Sequence, residues 1–338
     1  MRIWLDVTTP KQARLMSSIA RSIGADYVIT VKDYPESVEL LRKLGVNFLQ
    51  IGKYSSRNLM EKLIYYADRV KLLTEFVTQY EPDFLISLSS PEAIRVAYGL
   101  SIRSITMNDS PHSYHVGRLT LPLSWRVIYP AAIPKDEMIK LGASEDSLIP
   151  YNGVDEIAWV KDHLEGGISA NREFKVFIRP EESGASYMLG REGFSLKLIG
   201  VILECGADVV VKPRYGEQAR VIREIYGDRV TVLESAVDTL DLFRRVAMVV
   251  TGGGTMARES ALLGTPSLCI FPLNTKLYVN DYLRDMGFPI WRASSYEEAV
   301  SIVRTILRDP DSYVRDTRSL LRNLEDPREI VKSVVASG

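Results

Sequence analysis

The chain has 338 residues, more than one compact unit at roughly 150 residues per domain, and its 46% hydrophobic and 25% charged residues exclude a disordered or fibrous protein. Lysine plus arginine (42) nearly cancel aspartate plus glutamate (43), so there is no basic field to collect a phosphate backbone, and nucleic acid is excluded as a main partner. Two cysteines, Cys205 and Cys269, are too few for a disulfide framework or a cysteine-rich metal site and read as buried reduced thiols.

The N-terminus reaches Asp6 before a signal-peptide apolar region could form. No apolar run approaches the ~18 residues of a membrane span, so a cytoplasmic protein without a transmembrane segment is expected. Short β-branched or aromatic runs then alternate with amphipathic stretches, the pattern of βαβ units on parallel sheets. In the first half, strands are expected at Ile3 to Val7, Tyr27 to Val31, Phe84 to Leu88, Ser104 to Met107 and Arg126 to Tyr129. A helix from Lys11 to Ile23 follows Pro10 and stops at Gly24, and a long one runs from Asn58 to Tyr80 with Leu59, Leu63, Tyr66, Val70, Leu73 and Val77 on one side.

Periodicity fades over Tyr151 to Asn171, where Gly166, Gly167 and Ser169 suit a connector. The second half has strands at Lys175 to Ile178, Asp208 to Lys212, Val230 to Leu233, Met248 to Thr251 and Ser267 to Phe271. Its helices are expected at Glu192 to Glu204, Gln218 to Tyr226, Thr255 to Leu263 and Asn280 to Met286. Beyond Glu297 only amphipathic helices remain, broken at Pro310 and Pro327. The organisation is therefore a Rossmann-like domain at 1–165, a second at 166–310, and helices at 311–338 that could pack back on the first. Two doubly wound parallel sheets would face a central cleft, and such sheets bind ligands at their carboxyl ends.

The segment Met248-Val-Val-Thr-Gly-Gly-Gly-Thr-Met-Ala-Arg-Glu-Ser260 reads as strand, glycine turn, helix start. Glycine lets the backbone approach a diphosphate, and free N–H groups with the positive end of a helix attract its charge, so Gly252, Gly253 and Gly254 are candidate phosphate binders. Thr255 is placed to cap the helix or touch a phosphate. Glu259, one turn on, can accept from vicinal ribose hydroxyls. The plainer alternative is a tight connection with a solvated helix-start acid.

With the flanking Val237-Asp-Thr-Leu-Asp-Leu-Phe and Ala261-Leu-Leu-Gly-Thr-Pro266, this stretch resembles an archaeal family of predicted glycosyltransferases of unknown function in the GT-B superfamily. Met1-Arg-Ile-Trp-Leu-Asp-Val-Thr, Ser89-Ser-Pro-Glu-Ala-Ile-Arg-Val-Ala-Tyr-Gly-Leu and Asn108-Asp109 extend the resemblance over nearly the whole chain. More distantly it is similar to the peptidoglycan N-acetylglucosaminyltransferase and UDP-N-acetylglucosamine 2-epimerase, whose glycine turn and helix glutamate bind diphosphate and ribose; Gly253, Gly254 and Glu259 match those positions. The resemblance implies a GT-B glycosyltransferase using a nucleotide diphosphate sugar, UDP-linked first, with an unknown acceptor and no metal or resident cofactor. Homodimerisation is left open.

Arg179, just past its strand, reads as a phosphate clamp, with Lys212 and Arg214 as further cations after the next strand; ordinary rim residues are the alternative. In Phe271-Pro-Leu-Asn-Thr-Lys276 and Asn280-Asp281, Asn280 matches the GT-B helix start that touches the donor sugar, or else merely caps that helix. Asp109, in Asn108-Asp-Ser-Pro-His112, is the candidate general base for an acceptor hydroxyl, with His112 as alternative. The first loop, Asp6-Val-Thr-Thr-Pro-Lys-Gln12, lacks the histidine of nearer relatives. A UDP-sugar 2-epimerase is the second reading, although Arg179-Pro-Glu-Glu182 replaces its His, Glu and Asn signature, and a non-catalytic GT-B-fold binding protein is the third. His112, His115 and His163 form no spaced ligand set.

Overall fold

The computed structural model describes residues 1–55, 58–164, 172–181, 193–234, 238–271 and 275–338. It divides into two compact units, Met1–Trp159 with Leu324–Gly338, and Val160–Asn323. Among the described residues no helix is long and apolar enough to cross a membrane.

In the first unit β1 (Arg2–Val7), β2 (Asp26–Val31), β3 (Leu49–Gln50), β4 (Phe84–Ser87), β5 (Arg103–Met107), β6 (Arg126–Pro130) and β7 (Leu148–Tyr151) form one seven-stranded sheet in the order β3-β2-β1-β4-β5-β6-β7. In the second unit β8 (Glu173–Arg179), β9 (Asp208–Val211), β10 (Val230–Val232), β11 (Val246–Thr251), β12 (Ser267–Ile270) and β13 (Ile290–Ala293) follow the order β10-β9-β8-β11-β12-β13. Every pairing is parallel. A parallel strand needs a crossover, which a helix supplies, and helices on both faces bury the strands on both sides. Hence β11 reads as an unbroken apolar run and is buried along its length.

Three strands lack a local signal. The two residues of β3 are both exposed, β13 is a short Ile-Trp-Arg-Ala, and β7 contains Pro150. Proline is tolerated in β7 because that strand is the sheet edge, where a missing N–H breaks no ladder bond. Within the stretch expected to be a connector, the residues from Tyr151 to Trp159 are instead packed: Tyr151, Asp155 and Trp159 are buried, and Asn152 O accepts from Glu325 N at 2.8 Å. Gly166, Gly167 and Ser169 lie outside the described residues.

The tail serves both units. Arg315 N donates to Gly264 O at 3.0 Å and Thr317 Oγ1 to Leu262 O at 2.5 Å, which holds that segment to the second unit. The helix Pro327–Ala336 packs instead on the helix Pro10–Ser22 of the first.

The long helix runs from Leu59 to Tyr80, but its apolar face is shorter than its periodicity predicts. Leu73 and Val77 are buried, whereas Leu59 and Leu63 are 80% and 69% exposed. At 1.5 Å per residue these 22 residues span about 33 Å, far more than the four residues of β4, so the first turns overrun the sheet. What fixes the helix is a charge. Arg69, fully buried, donates from Nη2 to Asp6 Oδ1 at 2.6 Å and from Nη1 to Oδ2 at 3.0 Å. Thr30 Oγ1 (2.5 Å) and Ser90 Oγ (2.6 Å) complete the Asp6 carboxylate, and Trp4 Nε1 donates to Thr30 Oγ1 at 2.8 Å.

Arg69→Met strands a buried carboxylate, which should destabilise the first unit by about 3 to 5 kcal/mol. The double variant Asp6→Asn with Arg69→Met should recover part of that loss. Urea titration followed by circular dichroism checks both, and an unchanged first transition in Arg69→Met would mean that the pair does not anchor the helix.

Candidate functional site

Strand order reverses between β8 and β11 in the second unit and between β1 and β4 in the first, and ligand crevices of doubly wound sheets form where the order reverses. In the second unit that point is the glycine turn. Gly252 N donates to Arg179 O at 2.9 Å, and a Cβ on Gly252 would collide with the Glu181 backbone. Glycine is required there by close approach, not by a left-handed backbone. Gly253, extended at φ −168°, is the N-cap of the helix Gly254–Leu262, and no side chain caps that helix. Thr255 is therefore the second helical residue rather than the cap, and it is half-buried.

Cations surround the turn. Arg214 donates from Nε to Pro180 O at 2.8 Å, and its Nη2 lies 3.6 Å from where a Cβ on Gly253 would stand. Gln218 fixes this loop, accepting from Arg214 N at 2.9 Å and donating to Glu181 O at 3.0 Å. Arg179, buried, directs Nη1 at Lys212 O (3.3 Å) and Pro213 O (2.9 Å), so it braces the end of β9 from within the sheet edge. Lys212 Nζ donates to Glu234 O at 3.0 Å. Glu181 Oε1 accepts from Ser195 N at 3.0 Å at the start of the helix Phe194–Glu204; burial pushes its carboxyl up, against the pull of backbone donors.

On the other side of the turn, buried Arg258 donates from Nη1 to Asn280 Oδ1 at 3.0 Å. Asn280 is the third residue of the helix Tyr278–Asp285, whose N-cap is Leu277, so it does not cap that helix. Glu259 is also buried. The two thiols differ from the expectation that both are buried. Cys205 is half-buried, whereas Cys269 is fully buried beside Arg258, Arg292 and Asn280, and burial pushes its thiol up to about 11. Asn274 lies outside the described residues.

In the first unit, Thr9 Oγ1 and Gln12 form a reciprocal cap that starts the helix Pro10–Ser22. Lys11 in its first turn extends Nζ to Asp109 Oδ2 (2.5 Å), Asp155 Oδ2 (2.7 Å) and Glu156 Oε1 (3.5 Å). Ser110 Oγ donates to Asp109 Oδ1 at 2.8 Å and Tyr151 OH to Asp155 Oδ1 at 2.7 Å. Burial, opposed by Lys11, raises the Asp155 carboxyl, and burial with the Asp155 charge raises the Tyr151 phenol well above its ordinary value. His112 is exposed. Ser89, at the end of β4, holds a left-handed φ of 52°, locked by donation to Met107 O (2.9 Å) and acceptance from Asn108 Nδ2 (3.0 Å). Lys11, Asp155, Glu156 and Arg258 were not foreseen as site residues. Lys11 carried a weak signal, a cation directly after the helix-starting Pro10, while Asp155 and Glu156 were hidden in the apparent connector. Among the described residues no group of three or more His, Cys, Asp and Glu side chains is arranged to hold a metal ion.

A family model for a "Protein of unknown function (DUF354)" matches residues 1–337. The chain belongs to the DUF354 family. An uncharacterized protein, MJ0665 of Methanocaldococcus jannaschii, is 28% identical over 349 residues, 97% of this chain and 96% of that one. Among solved structures, UDP-GlcNAc 2-epimerase from Neisseria meningitidis bound to UDP-GlcNAc superposes with a TM-score of 0.76 at 14% identity over 100% of both chains. The spinosyn rhamnosyltransferase SpnG does so with a TM-score of 0.62 at 14% identity, over 99% of this chain and 100% of that one. This DUF354 protein therefore has the GT-B fold of two Rossmann-like domains.

The turn geometry separates its first two glycines. Gly252→Ala forces the Glu181 backbone aside and should destabilise the second unit by about 1 to 3 kcal/mol. Gly253→Ala meets only Arg214 Nη2 at 3.6 Å and should change stability by less than about 0.5 kcal/mol. Thermal melts of both variants check this, and equal losses would refute the close-approach account of Gly252.

Proposed function

We propose that this DUF354 protein is a glycosyltransferase that takes a nucleotide diphosphate sugar, UDP-linked first, on the glycine turn of its second unit and activates an acceptor hydroxyl on its first. The observation that carries the reading is the uncapped helix start at Gly253 and Gly254, lying where strand order reverses and flanked by the guanidinium groups of Arg214 and Arg258. Backbone N–H groups and fixed cations suit the charge that gathers on a leaving diphosphate as the anomeric C–O bond breaks. The UDP-GlcNAc bound by the Neisseria epimerase supports a uridine donor.

In this reading Glu259 accepts from the ribose hydroxyls, Asn280 reads the donor and Thr255 touches a phosphate. Arg179 acts through the loop it braces. Asp109 takes the acceptor proton, with Lys11 and Ser110 holding its two oxygens in place. His112 is the alternative base. The mechanism draws on protein groups alone, without a metal ion.

A 2-epimerase is the second reading, favoured by the higher TM-score of the Neisseria enzyme, 0.76 against 0.62 for the rhamnosyltransferase. Against it, Arg179-Pro-Glu-Glu182 stands in place of the epimerase signature, and of these Glu181 holds a helix start and Arg179 backbone carbonyls.

UDP at a hundredfold excess over its dissociation constant should stabilise the protein by about 2.7 kcal/mol, read as a thermal shift against guanosine and unsubstituted diphosphates. Glu259→Ala should weaken UDP binding by about 1 to 3 kcal/mol, and unchanged affinity would remove Glu259 from the site. Asp109→Asn should lower turnover roughly 10²- to 10⁴-fold with donor affinity unchanged. Lost donor binding would make Asp109 structural, retained activity would pass the role to His112, and a wild type that binds UDP but turns over no donor would be a binding protein.

A further inference from the structure

Arg172 stands immediately before β8, at the amino edge of the second sheet. The glycine turn follows β11 at the opposite edge, roughly 20 Å away, the length of a six-residue strand at ~3.3 Å per residue. From its edge Arg172 ties three strand starts together. Nη1 donates to Val246 O at 3.0 Å in the first residue of β11, to Phe243 O at 3.4 Å at the end of the helix Thr239–Phe243, and to Thr265 Oγ1 at 2.6 Å, just before β12. Thr265 Oγ1 donates in turn to Phe243 O at 2.7 Å. With two protons and three acceptors, Nη1 is fully used.

The other two nitrogens are not. Nε and Nη2 are shielded from solvent, and neither has a hydrogen-bond partner among the described residues. They share one edge of the planar guanidinium, where their N–H bonds run side by side, the geometry that grips two oxygens of one carboxylate or phosphate. All that Nη1 meets is neutral, two peptide carbonyls and a hydroxyl, so the positive charge is sheltered without being balanced. Burial pulls the guanidinium below its ordinary value, Asp311 opposes that pull and Arg244 adds to it. Asp311, itself exposed, accepts no bond from Nε or Nη2. Buried donors on a charged group are costly when unmade, and native proteins satisfy them with protein, water or an ion. Two parallel N–H groups on an unbalanced cation, in a field that Arg244 makes more positive, favour an anion over water.

We propose that Arg172 holds a small oxyanion, a phosphate or a carboxylate, bidentate on Nε and Nη2 at the amino edge of the second sheet. Bound there, the anion balances the charge that staples the starts of β8, β11 and β12, and so stabilises the second unit from the edge away from the glycine turn. This site goes beyond the nucleotide-sugar reading and does not depend on it.

The test is calorimetric melting and titration of the full chain with inorganic phosphate and with acetate, at an ionic strength matched with sodium chloride, in wild type, Arg172→Lys, Arg214→Gln and Asp311→Asn. Phosphate or acetate should raise the wild-type melting temperature, and the more effective of the two assigns the anion as phosphate or carboxylate. Arg172→Lys keeps a cation for Thr265 and the backbone carbonyls but has no fork, so it should bind the anion at least ~10-fold more weakly. Arg214→Gln, at the glycine turn, should keep the response that Arg172→Lys loses. The Arg172 Nε–H resonance of the wild type, followed by nitrogen NMR, should shift along the same titration, a readout that needs no variant to fold. No anion effect in wild type, an Arg172 resonance that stays in place, an unchanged effect in Arg172→Lys, or an effect lost in Arg214→Gln instead would each overturn the assignment. So would an anion-free melting temperature that falls as far in Asp311→Asn as in Arg172→Lys, because Asp311 would then close the fork itself.

Discussion

Every paired strand in both units runs parallel, and the rest of the molecule follows from that constraint. Parallel pairing sends each connection across the sheet as a helix, so all carboxyl ends emerge on one edge. Side chains far apart in sequence then meet there: Lys11 after β1, Asp109 after β5 and Asp155 after β7 in one unit, and Arg179, Arg214, Gly252 and Asn280 in the other. The reversal of strand order decides which of these edges opens. At β8 and β11 two neighbouring connections leave on opposite faces, and the glycine turn occupies the gap, with its backbone pressed against Glu181.

Buried charge is used in two ways. Asp6 with Arg69 is a closed arrangement, since both carboxylate oxygens receive donors from Arg69, Thr30 and Ser90. Such a pair orients the long helix on the sheet but offers little to a ligand. The Lys11 group differs. One ammonium is shared among three carboxylates, and burial lifts the Asp155 carboxyl and the Tyr151 phenol from their ordinary ranges. Perturbed groups gathered at a strand-end edge are the arrangement expected of proton-transfer chemistry. In the second unit the same contrast separates Arg179, turned onto backbone carbonyls, from Arg258, turned onto the start of a helix.

The sequence by itself determined the doubly wound character of both halves, because apolar β-branched runs such as Met248 to Thr251 and 3.6-residue periodicity are local properties written directly in residue order. It also determined the glycine turn, since strand, three glycines and helix are contiguous. Elements stabilised by their neighbours rather than by their own residues were not legible: β3, β7 and β13 are short and exist because a partner strand supplies their hydrogen bonds. For the same reason Tyr151 onward looked like a connector until Asn152 met Glu325 and Asp155 met Lys11. The tertiary structure alone decided which charged side chain serves which end. Arg179 and Arg258 are both arginines beside phosphate-binding signals in the sequence; only the three-dimensional positions of the Lys212 and Pro213 carbonyls and of Asn280 Oδ1 aim one inward and the other at Gly254. Hydrogen-bond partners 22 or 34 residues away are set by the crossing of helices and strands, which no local pattern encodes.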